Sequence, residues 1–283
     1  MKPLFSHITI IGLGLIGGSI ALEIKKKKLA RHVVGVSTSL ENRERALQLK
    51  AVDEAFASVG DFIEDSDLII IATPVGLILP FLCQIKNHLK PDALVTDVGS
   101  VKGEIVREAS RLKGLNFIGG HPIAGTEKSG MKAAQLNLFK KKKWILTPTS
   151  KVSAVLRKKL IRWIRALGSE VVLMDPAEHD RIFAAVSHLP NLLAYALTNT
   201  VESLQDPRLL KLAGSSFRDI TRVASSSPKM WRDICISNRV EILRTLRRFE
   251  TELARFKQSI ENGLETNLLK SFERGKKFRD EFI

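Results

Sequence analysis

At 283 residues with 44% hydrophobic content, the chain suits about two domains with full cores, which excludes a disordered, collagen-like or disulfide-scaffold protein. Lys and Arg number 45 against 30 Asp and Glu, a net charge of +15. With a single tyrosine there is no aromatic platform for stacking bases, so the Lys tetrads at 25–28 and 140–143 read as solvated basic surface and no nucleic-acid partner is expected. Cys83 and Cys235 lie far apart and outside any CxxC or His/Cys cluster, which gives no basis for a disulfide or a metal site and fits a reducing cytoplasm. The longest apolar stretch, 68–82, is interrupted by Thr73, Pro74, Gly76 and Pro80 and falls short of the ~20 residues of a membrane span. The run at 8–22 has only Lys2 ahead of it and its basic cluster behind, the reverse of a secretion signal.

In chain order, short β-branched runs at 8–11, 33–36, 68–72, 94–97, 117–119, 144–146 and 171–174 alternate with helical stretches, the rhythm of a parallel βαβ sheet. Thr38 and Glu41 have capping-box spacing before a helix carrying Ala46 and Leu49, and Leu77, Phe81 and Ile85 repeat at helical spacing. After Asp175 the strand signal ends, and amphipathic patterns at 182–204 and 230–260 are separated by breaks at Asp206-Pro207 and 225–228. The predicted architecture is α/β: an N-terminal Rossmann-type doubly wound parallel sheet over 1–175, then an all-helical domain over 176–283. Ile234, Val240, Leu243, Leu246, Phe249, Leu253 and Phe256 make the last long pattern more apolar than one packed helix requires, which predicts a homodimer.

Gly12, Gly14 and Gly17 form a GxGxxG directly after the first strand, with Leu15 and Ile16 opening the next helix. Gly12 permits the tight turn, Gly14 lets backbone approach a pyrophosphate, Gly17 lets helix pack on strand, and the helix N-terminus offers donors and positive dipole. A nicotinamide dinucleotide is therefore expected. Where an NAD enzyme usually carries an acid for the ribose hydroxyls, this chain has Ser37, followed by Thr38 and Ser39, with Arg43 and Arg45 nearby. Hydroxyls and a guanidinium suit a 2′-phosphate, so the reading leans slightly to NADP over NAD.

Ligands of such sheets bind beyond the carboxyl ends of the strands, and three of those ends carry polar groups: Thr73-Pro74, Gly99-Ser100 and His121-Pro122. Thr73, Pro74 and Ser100 are placed at the cofactor. Removing hydride from a carbinol carbon requires a base for the hydroxyl proton, and the imidazole of His121, with an ordinary pKa near ~6.5, suits that task. The glycine-rich polar segment 119–130 reads as a substrate loop.

These residues, with Ala72-Thr73-Pro74-Val75, Asp97-Val98-Gly99-Ser100-Val101-Lys102, Ser187-His188-Leu189-Pro190-Asn191, the segment 217–224 and Met230-Trp231-Arg232-Asp233, resemble the prephenate/arogenate dehydrogenases of tyrosine biosynthesis across nearly the whole chain. The resemblance implies oxidation of a ring hydroxyl with NAD(P) and loss of the ring carboxylate as CO2. It implies that His121 accepts the hydroxyl proton, that Ser100 hydrogen-bonds that hydroxyl and orients His121, and that Arg222 binds the ring carboxylate. His188, Trp231 and Glu127 are implied on the substrate side, and Asp219 near the cleft. It leaves prephenate and arogenate both open, with prephenate as the default.

Two departures stand out: Ala213-Gly214-Ser215-Ser216 replaces a glycine cluster, and Ser37 replaces the usual acid. With no room for an appended regulatory domain of ~70 residues, inhibition by tyrosine is expected to act at the active site. The rival readings are another hydroxyacid or imine dehydrogenase, disfavoured because no lysine motif stands out between Ser187 and Arg222, and a non-enzymatic dinucleotide-sensing or RNA-binding basic protein.

Overall fold

The computed structural model describes residues 3–126 and 128–281. Eight strands form one sheet: β1 (His7–Ile11), β2 (His32–Val36), β3 (Glu54–Phe56), β4 (Leu68–Ile71), β5 (Leu94–Asp97), β6 (Asn116–Pro122), β7 (Lys143–Thr147) and β8 (Glu170–Leu173). Their spatial order is β3-β2-β1-β4-β5-β6-β7-β8. Helices α1 (Leu15–Lys27), α2 (Leu40–Gln48), α3 (Ile78–Ile85), α4 (Gly103–Ala109) and α5 (Ala154–Leu167) accompany the strands. β4 is four consecutive aliphatic residues, all wholly buried, because the sheet is covered on both faces. One face packs Ile20, Ile24, Trp144 and Trp163, and the other packs Ile69, Ile71, Ile78, Leu82 and Val106.

The sheet departs from an all-parallel expectation at one place: β6 and β7 pair antiparallel, while β7 and β8 are parallel. A parallel pair needs a crossover that returns the chain to the starting end of the sheet. Among its described residues the β6–β7 connection contains no element longer than the short turn Met131–Ala133, so the chain re-enters from the end it left, whereas α5 supplies the crossover to β8. Antiparallel pairing also extends β6 to Pro122, placing His121 within a strand opposite Ile145 and not on a loop. β3 is an extra strand at the edge, three residues long and without a β-branched residue. The α2 cap lies one residue later than the spacing suggests: Ser39 Oγ accepts from the Asn42 N–H at 3.2 Å.

From Pro176 onward every regular element among the described residues is helical: α6 (Pro176–Phe183), α7 (Leu189–Ser203), α8 (Arg208–Leu212), α9 (Ser215–Thr221), α10 (Pro228–Ser237), α11 (Arg239–Glu261) and α12 (Glu265–Asp280). The single helix expected over 182–204 is divided by a widened turn, Ala184–His188, with i→i+5 bonding. Pro190 explains it, since its ring would clash with the carbonyl one α-turn earlier and it has no N–H to donate. Among the described residues no helix is long and apolar enough to cross a membrane, and no group of three His, Cys, Asp or Glu side chains could hold a metal ion.

Candidate active site

The chain leaves β1 through Gly12, whose φ of +108° favours glycine and whose hypothetical Cβ would lie 2.4 Å from the Ala72 carbonyl oxygen. A Cβ on Gly17 would strike the Gly12 carbonyl at 1.9 Å, whereas one on Gly14 meets nothing within 4 Å. Two glycines therefore close the turn and the third leaves open space above it. α1 begins there with no side-chain cap and no acid in its first turn, so its N–H groups and positive dipole end face that space. Thr73 Oγ1, beyond β4, is buried without a hydrogen-bond partner. Open backbone, uncapped amides and an orphaned hydroxyl fit a dinucleotide. At the end of β2, Arg43 donates to the carbonyls of Ser37 and Thr38 at 2.6 and 3.1 Å, which holds its guanidinium at the ribose end of this surface. Ser39 is occupied as the α2 cap, and Arg45 is exposed.

His121 projects from β6, and its Nδ1 lies 2.8 Å from Nε2 of His179 on α6. His179 Nδ1 in turn lies 2.8 Å from Asp180 Oδ1, and the two Asp180 oxygens accept the backbone N–H groups of Lys102 and Gly103 at 2.8 Å each. Phe183 flanks both imidazoles, with ring centroids 4.8 and 4.5 Å away. Beneath them, Asp97 accepts the N–H groups of Gly120 at 3.0 Å and Gly99 at 2.8 Å and pairs with Lys102 Nζ, with both charged side chains wholly buried. That carboxylate ties together the two strand ends that carry Ser100 and His121.

Burial holds the His121 pKa well below its ordinary value, and His179, Lys102 and His188 push it the same way. His179 is also lowered by burial, against the pull of Asp180. The ordinary imidazole pKa expected for His121 is thus corrected downward: the ring stays neutral, and able to accept a proton, into the acid range.

His188 ends the widened turn, wholly buried, with Nδ1 3.1 Å from the Asn238 side-chain amide and Nε2 without a partner. Trp231, half-buried on α10, lies edge-on with ring centroids 6.2 Å from His188, and its Nε1 is likewise unpartnered. Two buried donors left open at one place are a polar invitation to a ligand. Burial pushes His188 down to about 4. The unfolded histidine takes its proton near ~6.5 and the folded one near 4, so the unfolded chain binds more protons between those values. Stability should therefore fall as pH drops from about 6.5 to 4, by about 3 kcal/mol from this residue. Urea midpoints at pH 7.5 and 4.5 test this; equal midpoints would show that His188 is not buried as described.

Arg222 is exposed on the turn Arg222–Ser225, which packs against α7, and Tyr195 of α7 donates to the Ser226 carbonyl at 2.7 Å. Glu127 lies outside the described residues. The Ser100 carbonyl faces the His188 ring, and no hydrogen bond joins Ser100 to His121 among the described residues; His179 is the partner that orients that ring. Sequence reading missed His179, Asp180 and Asn238, and quoted Asp97 and Lys102 without a role for either. A signal existed for the first two: Asp175 and Pro176 mark a helix start, and Asp175 Oδ1 accepts from the Ala177 and Glu178 N–H groups, which puts His179 and Asp180 in the helix's opening residues, packed against the sheet end.

A glycine-turned dinucleotide surface beside a neutral histidine at the carboxyl end of a doubly wound sheet, with a helical half closing over it, defines a nicotinamide-dinucleotide-dependent dehydrogenase. Residues 20–173 match the prephenate dehydrogenase nucleotide-binding domain and 175–274 match the prephenate dehydrogenase dimerization domain. The chain is 35% identical over 285 residues to prephenate dehydrogenase of Bacillus subtilis, covering 99% of this chain and 77% of that one. The crystal structure of Aquifex aeolicus prephenate dehydrogenase with hydroxyphenyl propionate and NAD+ superimposes with a TM-score of 0.92 at 36% identity, covering 98% of both chains. Synechocystis arogenate dehydrogenase superimposes with a TM-score of 0.81 at 34% identity, covering 98% of this chain and 100% of that one. The chain belongs to the prephenate dehydrogenase family. A 3-hydroxyisobutyrate dehydrogenase from Salmonella typhimurium, at 16% identity and a TM-score of 0.60, shares the fold alone.

Proposed function

We propose that the protein oxidises prephenate to 4-hydroxyphenylpyruvate with release of CO2, with residues 1–175 holding the dinucleotide and 176–283 forming the substrate and dimer half. The observation that carries this reading is the neutral, strand-borne His121, near His188 and at the same sheet end as the glycine turn, with Trp231 edge-on to His188 and the ring nitrogens His188 Nε2 and Trp231 Nε1 unpartnered. Gly12, Gly14 and Gly17, with the N–H groups of Leu15 and Ile16, would hold the pyrophosphate. Thr73, Pro74 and Ser100 would line the nicotinamide side, and Ser37 and Thr38 the ribose. When bound, the nicotinamide supplies the acceptor for the hydride from the ring carbon. His121 takes the proton of the ring hydroxyl, and Ser100 hydrogen-bonds that hydroxyl. Arg222 holds the ring carboxylate bidentately, so that its C–C bond is aligned to break as the ring becomes aromatic. His188 and Trp231 contact the substrate from the helical side, and Glu127 is proposed as a further substrate contact from the sequence alone.

Arogenate, with an ammonium in place of the side-chain ketone, offers the same ring chemistry. Arg43, anchored at Ser37 and Thr38, supports the lean to NADP over NAD, because its guanidinium complements a 2′-phosphate and no acid opposes one. A steady-state assay at 340 nm with prephenate or arogenate, each with NAD or NADP, tests the reading. Turnover of either substrate supports it and ranks the cofactors, while no turnover in any arm, with dinucleotide still bound, overturns it. Arg222→Ala should raise KM for the substrate about tenfold or more with a smaller change in kcat, because the lost contact holds the carboxylate already in the ground state. An unaltered KM would move the carboxylate to another residue. The apolar side chains of Val240, Leu243, Leu253 and Phe272, exposed on α11 and α12, support a homodimer formed through these helices.

A further inference from the structure

We infer that His179, anchored by Asp180, is the positioning residue that fixes the tautomer of His121, so that His121 Nε2 presents a lone pair to the substrate hydroxyl. The inference rests on His121 being the proton acceptor, and follows from counting donors and acceptors along the chain of contacts. Asp180 accepts backbone N–H groups with both oxygens, so what it offers His179 is acceptor capacity. His179 Nδ1, 2.8 Å from Oδ1, therefore carries its proton. A neutral imidazole with a proton on Nδ1 has a lone pair on Nε2, and that lone pair faces His121 Nδ1 at 2.8 Å. His121 Nδ1 must then be the protonated nitrogen, which leaves Nε2 bare. The opposite tautomer would set two lone pairs against each other between the rings and put a proton where the reaction needs a base.

The arrangement also answers an electrostatic problem. His121 is half-buried, and desolvation, with Lys102, His179 and His188, disfavours a positive charge on it. When it takes a proton, the new cation is hydrogen-bonded through His179 to a carboxylate held by two amides of the α4 start. Asp97 offers no such help, since Lys102 Nζ and two glycine amides occupy it. Phe183 packs on both rings and keeps water from competing for the shared hydrogen bond.

The test needs no variant to begin. In protein labelled with ¹⁵N at histidine, long-range ¹H–¹⁵N correlation reads which ring nitrogen carries the proton, with His121 assigned by its loss in His121→Asn. The expected spectrum shows His121 protonated at Nδ1. His179→Phe keeps an aromatic ring against Phe183 but removes the acceptor; it should shift His121 toward the Nε2-protonated form and lower kcat about 10- to 10²-fold. The dissociation constant for NADP should stay within about threefold. His179→Gln, whose amide oxygen can accept from Nδ1, should recover most of that loss. Wild-type His121 protonated at Nε2 overturns the inference, and so does a Gln variant as impaired as the Phe variant. Absence of wild-type turnover on either substrate would instead overturn the proposed function, with the tautomer still read independently.

Discussion

Replacing His121 by Asn should lower kcat roughly 10²- to 10⁴-fold while leaving the dinucleotide dissociation constant within about threefold. The glycine turn, the α1 N-terminus and Thr73 are untouched by the change, so binding of the dinucleotide has no reason to suffer. What disappears is the acceptor that must take the hydroxyl proton as hydride leaves. A pH profile separates this role from a merely steric one. Because burial, with Lys102 and the two neighbouring histidines acting the same way, holds the His121 pKa well below its usual value, the acid limb of wild-type kcat/KM should fall below pH 6.5. In the Asn variant that limb should vanish, since the group that titrates is gone. If kcat falls less than about tenfold and dinucleotide affinity weakens instead, His121 is a binding residue and the base lies elsewhere.

How much of this was legible beforehand depended on whether a feature is local in sequence. The glycine turn was readable because each glycine answers a steric demand between adjacent elements: Gly12 against Ala72, Gly17 against Gly12 itself. His121 was readable because it follows a β-branched run and precedes a proline in a polar, glycine-rich stretch. The reversal at β7 was not, because strand direction is decided by what the connecting segment builds, and the segment 123–142 carries no periodicity that announces the absence of a crossover helix. The partners of His121 were hidden for a different reason. His179 stands 58 positions away on the first helix of the other half of the chain, and only packing of α6 against α4 brings the two rings together. His188 shows the intermediate case. Its motif was recognised in sequence, but its buried, unprotonated state and its bond to Asn238 follow from the widened turn that Pro190 imposes. Exposed apolar positions on α11 were visible as an excess over what one helix can bury, and that excess remains at the surface of the single chain.

Lys102→Met should destabilise the protein by about 3–5 kcal/mol, a large share of the roughly 5–15 kcal/mol that holds a typical domain folded. Lys102 and Asp97 are both wholly buried, and burial alone lowers the Lys102 pKa while Asp97 opposes that shift. Methionine matches the lysine stem in length, so little packing is lost; the cost arises from a carboxylate left in the core with only the Gly99 and Gly120 amides for company. Adding Asp97→Asn removes the stranded charge and should return most of the stability, read from urea midpoints of the two single variants and the double variant. Activity should not return with it. The substituted side chain has a single amide oxygen and can no longer serve both backbone amides, as Asp97 does with Oδ1 on Gly120 and Oδ2 on Gly99, so the strand ends that carry Ser100 and His121 lose their common anchor. A stable double variant with a low kcat is therefore the expected pair of results, and it separates the charge balance of the core from the geometry of the site. A single Lys102→Met variant within about 1 kcal/mol of wild type would mean that the buried Asp97 does not depend on its cation.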